Sequence, residues 1–376
     1  MKKVIVISDS FKGSLDSGTI AQIAADCIPA FFPGCQVIGL PVADGGEGTV
    51  DCFLKAVGGT RVTVEATGPW GEPAAAFYGR IGDTAVVEMA AAAGLPMAGD
   101  RLDPSRTTTY GVGQLLLHAV EHGARHLVLG LGGSATNDGG CGAAAALGVK
   151  FYNARGETFV PVGATLPEIA AIDCAGAEER LRGISVEVMC DIDNPLCGPR
   201  GSAAVFGPQK GADAAMVEQL DQALAHLDAV IARDLHRSVG ELPGAGAAGG
   251  FGAGAAAFFH ARLRPGIEVV LDLVRFDELL AGCDLVLTGE GRMDGQSLGG
   301  KVPVGVARRA KRKGVPAVAI VGIVGPGIEP VYDEGITAVF TTNREALPFE
   351  AIRGRGAEDY RRALVDLLRY TKIFDR

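Results

Sequence analysis

The sequence predicts two α/β domains built on parallel sheets: a discontinuous, Rossmann-like sheet assembled from both termini, with a second α/β domain inserted into it. Three observations predict this. The chain has 376 residues, too many for one ordinary core. Its N-terminal region alternates short apolar strands with helical stretches, the βαβα order of a parallel sheet. Its C-terminal region returns to that order after a middle with strand signals of its own. The expected domains are 1–65 with 283–376, and 66–282.

The elements follow in order. Lys3 to Ser8 reads as a buried parallel strand, Gly18 to Ala30 as a helix and Gln36 to Val42 as the next strand. Val50 to Val57 is a second helix. Thr60 to Ala66 alternates, and Ala75 to Ile81 can pair with it across a segment broken by Pro69, Gly71 and Pro73. That is an antiparallel signature and marks the crossing into the inserted domain. Thr84 to Glu88 reads as a strand, Val112 to His122 as a helix, His126 to Leu131 and Val186 to Cys190 as strands, and Ala214 to Asp234 as a long helix. Leu242 to Gly254 is rich in Gly and Ala, fitting either a phosphate-contacting loop or a close-packing segment. Asp284 to Thr288, Ala317 to Val321 and Ala338 to Thr341 are short apolar strands that complete the first sheet.

Composition narrows the function. Hydrophobic residues make up 48% and charged residues 21% of the chain, a globular balance. Net charge is −9, and no basic stripe of the nucleic-acid-binding kind is present. The basic run Arg308 to Lys313 reads as the polar end of a helix. The eight cysteines are scattered without a C-x-x-C pair, which argues against a zinc ribbon or dithiol centre and suits a reducing cytosol. The N-terminus lacks the apolar stretch of a signal peptide, and no uninterrupted apolar run is long enough to span a membrane.

Chemistry is expected where strands end, the ligand-binding edge of open parallel sheets. After the first strand, Asp9 and Lys12 can meet a phosphate, carboxylate or metal; the same residues also suit a turn and helix cap. Asp44 and Glu47, separated by two glycines, can hold Mg²⁺ through oxygen or water, or cap a tight turn. Gly132, Gly133, Ser134 and Thr136 lie between a strand and an Ala-rich helix, where bare N–H groups favour an anion. Asp191 closes a strand and is a candidate general base, or an Asx-turn before Pro195; Asn194 follows it. Lys210 can neutralise a carboxylate or phosphate. Glu290 and Asp294 follow another strand.

Two motifs mislead. Gly295 to Lys301 fits G-x-x-x-x-G-K, but Val302 stands where a P-loop needs Ser or Thr; Lys301 remains a candidate phosphate contact. His118, Glu121 and His122 fit H-x-x-E-H, but both histidines fall on the polar edge of an amphipathic helix, so a solvated face is expected.

Together, Asp9–Ser14, Ala43–Thr49, Gly132–Gly140, Gly207–Ala212 and Thr288–Asp294 resemble the type I glycerate kinases of bacteria, with the strings in the same order through nearly the whole chain. The resemblance implies ATP-dependent phosphorylation of D-glycerate at the 2-hydroxyl, with Mg²⁺, in glyoxylate or sugar-acid catabolism. It also implies two α/β domains with the active site in the cleft. From the residues themselves, and compatibly with that resemblance, we expect Asp191 to position or deprotonate the hydroxyl and Lys12 and Lys210 to hold the carboxylate and the migrating phosphoryl. Gly132, Gly133 and Ser134 cradle the nucleotide phosphates, and Asp44, Glu290 and Asp294 hold Mg²⁺. Asp9 and Asn194 are placed with the substrate. The expected partners are the small molecules D-glycerate and ATP, with no nucleic acid or membrane, and a homodimer is the candidate assembly. A kinase for another small hydroxy acid, or a non-catalytic nucleotide or sugar-acid sensor, is the alternative.

Overall fold

Lys3–Ser8 is buried from Val4 onward, because it lies inside a sheet with strands on both sides. In a computed structural model describing residues 1–43, 45–345 and 347–374, five parallel strands run in the order Ile336–Thr341, Ala317–Val321, Leu285–Thr288, Lys3–Ser8, Gln36–Pro41. Val4 stands opposite Leu285 on one side and Val37 on the other. Helices Ser17–Phe31 and Gly356–Lys372 supply Ile20, Ile23, Ala24, Ile28, Tyr360, Leu364 and Leu368 to one core with Val4, Val6 and Leu287. Asp16 starts the first of these helices, its Oδ1 accepting from Thr19 N at 2.9 Å, as an N-cap should.

The chain divides into two units. The first comprises Met1–Ala43, Lys55–Val57 and Ile267–Arg376; the second comprises Asp44–Leu54 and Gly58–Gly266. Both crossings differ from the expected 65 and 283, for identifiable reasons. Thr60–Thr67 pairs along its whole length with Pro73–Ile81, so it belongs to the second sheet. Residues beyond Gly266 belong to the first unit because Arg309, only 5% exposed, ion-pairs with Glu268 at 2.5 Å and Asp272 at 2.6 Å.

The second unit carries a six-stranded sheet in the order Arg262–Arg264, Ser185–Met189, His126–Gly130, Thr84–Glu88, Pro73–Ile81, Thr60–Thr67. The first four strands are mutually parallel and the last two run antiparallel. A small sheet of Thr158–Phe159, Lys150–Tyr152 and Ala171–Asp173 is additional. Among the described residues no helix is long and apolar enough to cross a membrane.

The Gly/Ala-rich segment resolves toward close packing. It forms helix Ala247–Phe259, interrupted where Ala248, Gly249 and Gly250 take left-handed dihedrals. A Cβ on Gly249 would stand 2.0 Å from Thr136 O, and one on Gly254 2.0 Å from Gly139 O. Gly139 N also donates to Gly249 O at 2.9 Å. The helix therefore backs the Thr136–Gly140 loop. Gly254→Ala is expected to lower stability by about 1–3 kcal/mol through overpacking, measured by urea denaturation against Gly299→Ala, whose added Cβ would meet nothing within 4 Å.

Candidate active site

Polar groups collect at the carboxyl ends of strands in each unit. In the first unit the winding reverses between Lys3–Ser8, which leads to Gln36–Pro41 on one side, and Leu285–Thr288 on the other. Such a switch point is where open α/β sheets bind ligands. The loops leaving those two strands are tied together, Asp9 N donating to Gly289 O at 2.9 Å. Glu290 follows, 4% exposed. Its Oε1 accepts from Ser297 Oγ at 2.6 Å and its Oε2 lies 3.5 Å from Lys301 Nζ. Burial raises its pKa, against the pull of Ser297 and Lys301, and the nearby Asp9 charge adds to the rise. Lys12 is exposed on the loop after the first strand.

Lys301 stands at the N-cap of helix Val302–Arg312, with Pro303 in its first turn. Asp294 is engaged by the chain itself: Oδ1 accepts from Gln296 N at 3.0 Å and Oδ2 pairs with Arg292 at 2.9 Å. That supports a capping role, which a direct metal bond would disrupt. Asp44 lies outside the described residues.

In the second unit the sheet edge is built from glycine contacts. Gly132 N donates to Gly45 O at 2.9 Å. A Cβ on Gly130 would come within 2.3 Å of Gly45 O, and one on Gly132 within 2.6 Å of Gly46 Cα. Side chains at these positions would force the two loops apart.

Glu88, which the sequence reading passed over, fixes this junction. It ends strand Thr84–Glu88, is 2% exposed, and accepts from Val50 N at 3.0 Å and Gly48 N at 3.4 Å. It thus serves the orphan N–H groups opening helix Thr49–Val57. A lone Glu at a strand end carries no motif; only the fold reveals its partners. Burial raises its pKa above the ordinary carboxyl value. Its effect on stability is therefore greatest below the unfolded value and declines as pH rises through the folded one. Glu88→Ala is expected to destabilise by about 1–3 kcal/mol by leaving buried donors unpaired. Glu88→Gln should flatten the decline, both read by thermal melts from pH 4 to pH 8.

The Gly-rich loop departs from expectation in one respect. Its following helix, Cys141–Ala146, is short, and Asp138 already fills the N-terminus. Asp138 Oδ1 accepts from Gly140 N at 3.0 Å and Oδ2 from Gly142 N at 3.2 Å, with Thr109 N and Oγ1 both donating to Oδ2 at 2.8 Å. The chain has placed its own anion where an incoming one was expected. The exposed part of the loop is instead the preceding turn, at Gly133.

Behind that turn stands Lys210, 2% exposed. Its ammonium donates to Ser134 Oγ at 2.8 Å and Thr136 O at 2.7 Å. Burial depresses its pKa to about 7, opposed by the Asp138 charge. Thr136 Oγ1 and the Asn137 amide are buried without a partner among the described residues, so this loop carries unused polar capacity.

Asp191 follows strand Ser185–Met189 and is exposed, with Oδ1 accepting from Gly266 N at 2.7 Å. Asn194 is on the same loop, its Nδ2 donating to Arg200 O at 2.8 Å. His118 and His122 stack at 3.9 Å, and His118 Nδ1 lies 3.3 Å from Tyr78 Oη. Among the described residues no three His, Cys, Asp or Glu side chains are grouped to hold a metal.

The family described as "Glycerate kinase family" matches residues 4–372. The chain belongs to the glycerate kinase family. It is 47% identical to a Bacillus cereus glycerate kinase, covering 90% of each chain. It is 43% identical to the Bacillus subtilis glycerate kinase over 99% of this chain and 98% of that one, and 44% identical to the Escherichia coli K12 glycerate 2-kinase over 90% of each. A Salmonella typhimurium LT2 crystal structure assigned as glycerate kinase 2 superposes with a TM-score of 0.86 at 42% identity, covering 100% of this chain and 99% of that one. The chain is thus a member of an enzyme family, on a mixed α/β fold shared with a solved structure.

Proposed function

We propose that this member of the family transfers the γ-phosphoryl group of ATP to the 2-hydroxyl of D-glycerate, giving 2-phosphoglycerate and ADP. The observation that carries the reading is the glycine-lined turn Gly132–Gly133–Ser134 with the Lys210 ammonium held against Ser134 from behind. Phosphoryl transfer asks chiefly for neutralised charge and a positioned hydroxyl. A turn of small residues exposed at Gly133, with the buried Lys210 amine beneath it to take up a proton beside a bound triphosphate, provides the first. Asp191, anchored through Gly266 N, provides the second by accepting or orienting the acceptor proton.

In this reading Lys210 acts through the turn: it fixes Ser134 and lends it charge. Thr136 contributes its carbonyl to Lys210, and Asn194 shapes the Asp191 loop. In the first unit, Lys12 is the candidate for a carboxylate and Lys301, at the head of its helix, for a phosphate. Asp9 orders its loop through Oδ1 and Ser10 N at 2.7 Å.

The reading includes Mg²⁺, which typically takes one or two protein carboxylates and completes its shell with phosphate oxygens and water. Glu290, with Asp9 close enough to raise its pKa, fits that modest demand; Asp44 is the further candidate. The ion would offset charge developing on the transferred phosphoryl. Among the described residues none of the eight cysteines is joined in a disulfide, which suits the reducing cytosol where ATP is supplied.

ADP release should require D-glycerate, and should fall away with lactate, glycolate or tartrate as acceptor. Release at the same rate without any acceptor would exclude a glycerate kinase, and a faster rate with another hydroxy acid would reassign the substrate.

A further inference from the structure

A cavity opens at the other end of the inserted sheet. It encloses about 630 Å³ and is lined by Phe258, Phe259, His260, Arg182, Arg262 and Glu178 among others. Ser185 and Arg262, which begin their parallel strands, stand on its wall. Asp191 and the Gly132–Asp138 loop follow the opposite, carboxyl ends of that sheet. A five-residue strand spans roughly 16 Å, so one small ligand cannot occupy both places.

The lining has an apolar floor and a cationic rim. Phe258 and Phe259 are buried at 0% and 3% exposure. Arg182 and Arg262 are exposed, and among the described residues neither guanidinium has an ion pair or side-chain hydrogen bond. Glu178, the acid on the rim, is already matched by Arg237 at 3.6 Å. Arg237 Nη2 also lies 2.9 Å from His260 Nε2. A guanidinium only donates, so Nε2 is the acceptor in that contact; the same nitrogen lies 3.9 Å from Glu178 Oε1. His260 holds this place with a left-handed backbone, φ 52°, a conformation uncommon for a residue with a Cβ.

We infer that this cavity is a second, non-catalytic binding site for a small organic oxyanion, a carboxylate or phosphate monoester with a short carbon body. Two unengaged guanidinium forks match the planar or tetrahedral oxygens of such groups. The volume falls within the range of small-molecule sites. One element joins this cavity to the phosphate loop: helix Ala247–Phe259 ends in its floor and, at Gly249 and Gly254, bears on Thr136 and Gly139.

The test uses the full chain and the double variant Arg182→Gln/Arg262→Gln, both substitutions at exposed positions. Binding of inorganic phosphate, D-glycerate and 2-phosphoglycerate is followed by calorimetry and by the His260 ring resonances. The wild type should bind at least one probe with a dissociation constant of about 1 mM or tighter, shifting His260. The double variant should lose that event by tenfold or more while keeping ADP release with D-glycerate. Binding by inorganic phosphate alone would overturn the organic-ligand reading; binding by D-glycerate or 2-phosphoglycerate, lost in the double variant, would support it. No His260 shift with any probe, or an unchanged shift in the double variant, overturns the inference. Loss of glycerate-dependent turnover in the wild type would instead count against the kinase reading and leave this binding result standing.

Discussion

Asp191→Asn is expected to lower kcat by about 100-fold or more while leaving the fold and nucleotide affinity intact. The amide keeps the size of the carboxylate and can still accept from Gly266 N, the contact made by Oδ1 at 2.7 Å. It loses the negative charge that draws the acceptor proton. Kinases with a loose transition state lean more on positioning than on full deprotonation, so the deficit should lie in kcat and not in the KM for ATP. Steady-state ADP release with D-glycerate, alongside a denaturation curve, separates the two. A near-normal kcat in a folded variant would remove Asp191 from the role.

Lys210→Met is expected to cost a similar factor, about 10²–10³ in kcat, the scale of losing one preorganised charge in a water-poor site. It should also carry a proton signature. The folded pKa is about 7 against an ordinary lysine value of 10.5. Between those values the unfolded chain binds the extra proton and the folded one does not. Stability therefore rises with pH across that window, by about 1.4 kcal/mol per unit at most. Lys210→Met should abolish that slope. A bound triphosphate favours the charged ammonium, so ATP binding near pH 8.5 should take up close to one proton in the wild type and none in the variant. Calorimetry in two buffers of different ionisation enthalpy reads the uptake. Equal uptake by both proteins would show that Lys210 does not face the phosphates' field.

The parallel strands were legible because burial on both faces writes itself as continuous apolar runs. Lys3–Ser8 and Ala317–Val321 fall where the pattern predicts them. The crossing points were not, because register decides them: Thr60–Thr67 alternates equally well as the edge of either sheet, and only its pairing with Pro73–Ile81 assigns it. In the site, loops rich in Gly, Ser and Asp announced themselves, since few structural duties need such residues together. What the composition could not say is which polar group serves a ligand and which serves the chain. Asp138 and Asp294 have the composition of ligand contacts, yet both hold backbone N–H groups. Glu88 has no motif and still secures the Gly48–Val50 turn. Lys210 was readable as a cation near phosphate but not as a buried one, because burial comes from helix and loop packing far away in sequence.

Phosphorus NMR of the products formed from ATP and D-glycerate tests the central claim most directly. The account predicts ADP together with one new phosphomonoester whose phosphorus couples to the single proton on C2, the mark of 2-phosphoglycerate. A doublet of that kind replaced by coupling to the two C3 protons, or ADP and inorganic phosphate with no ester at all, would contradict it.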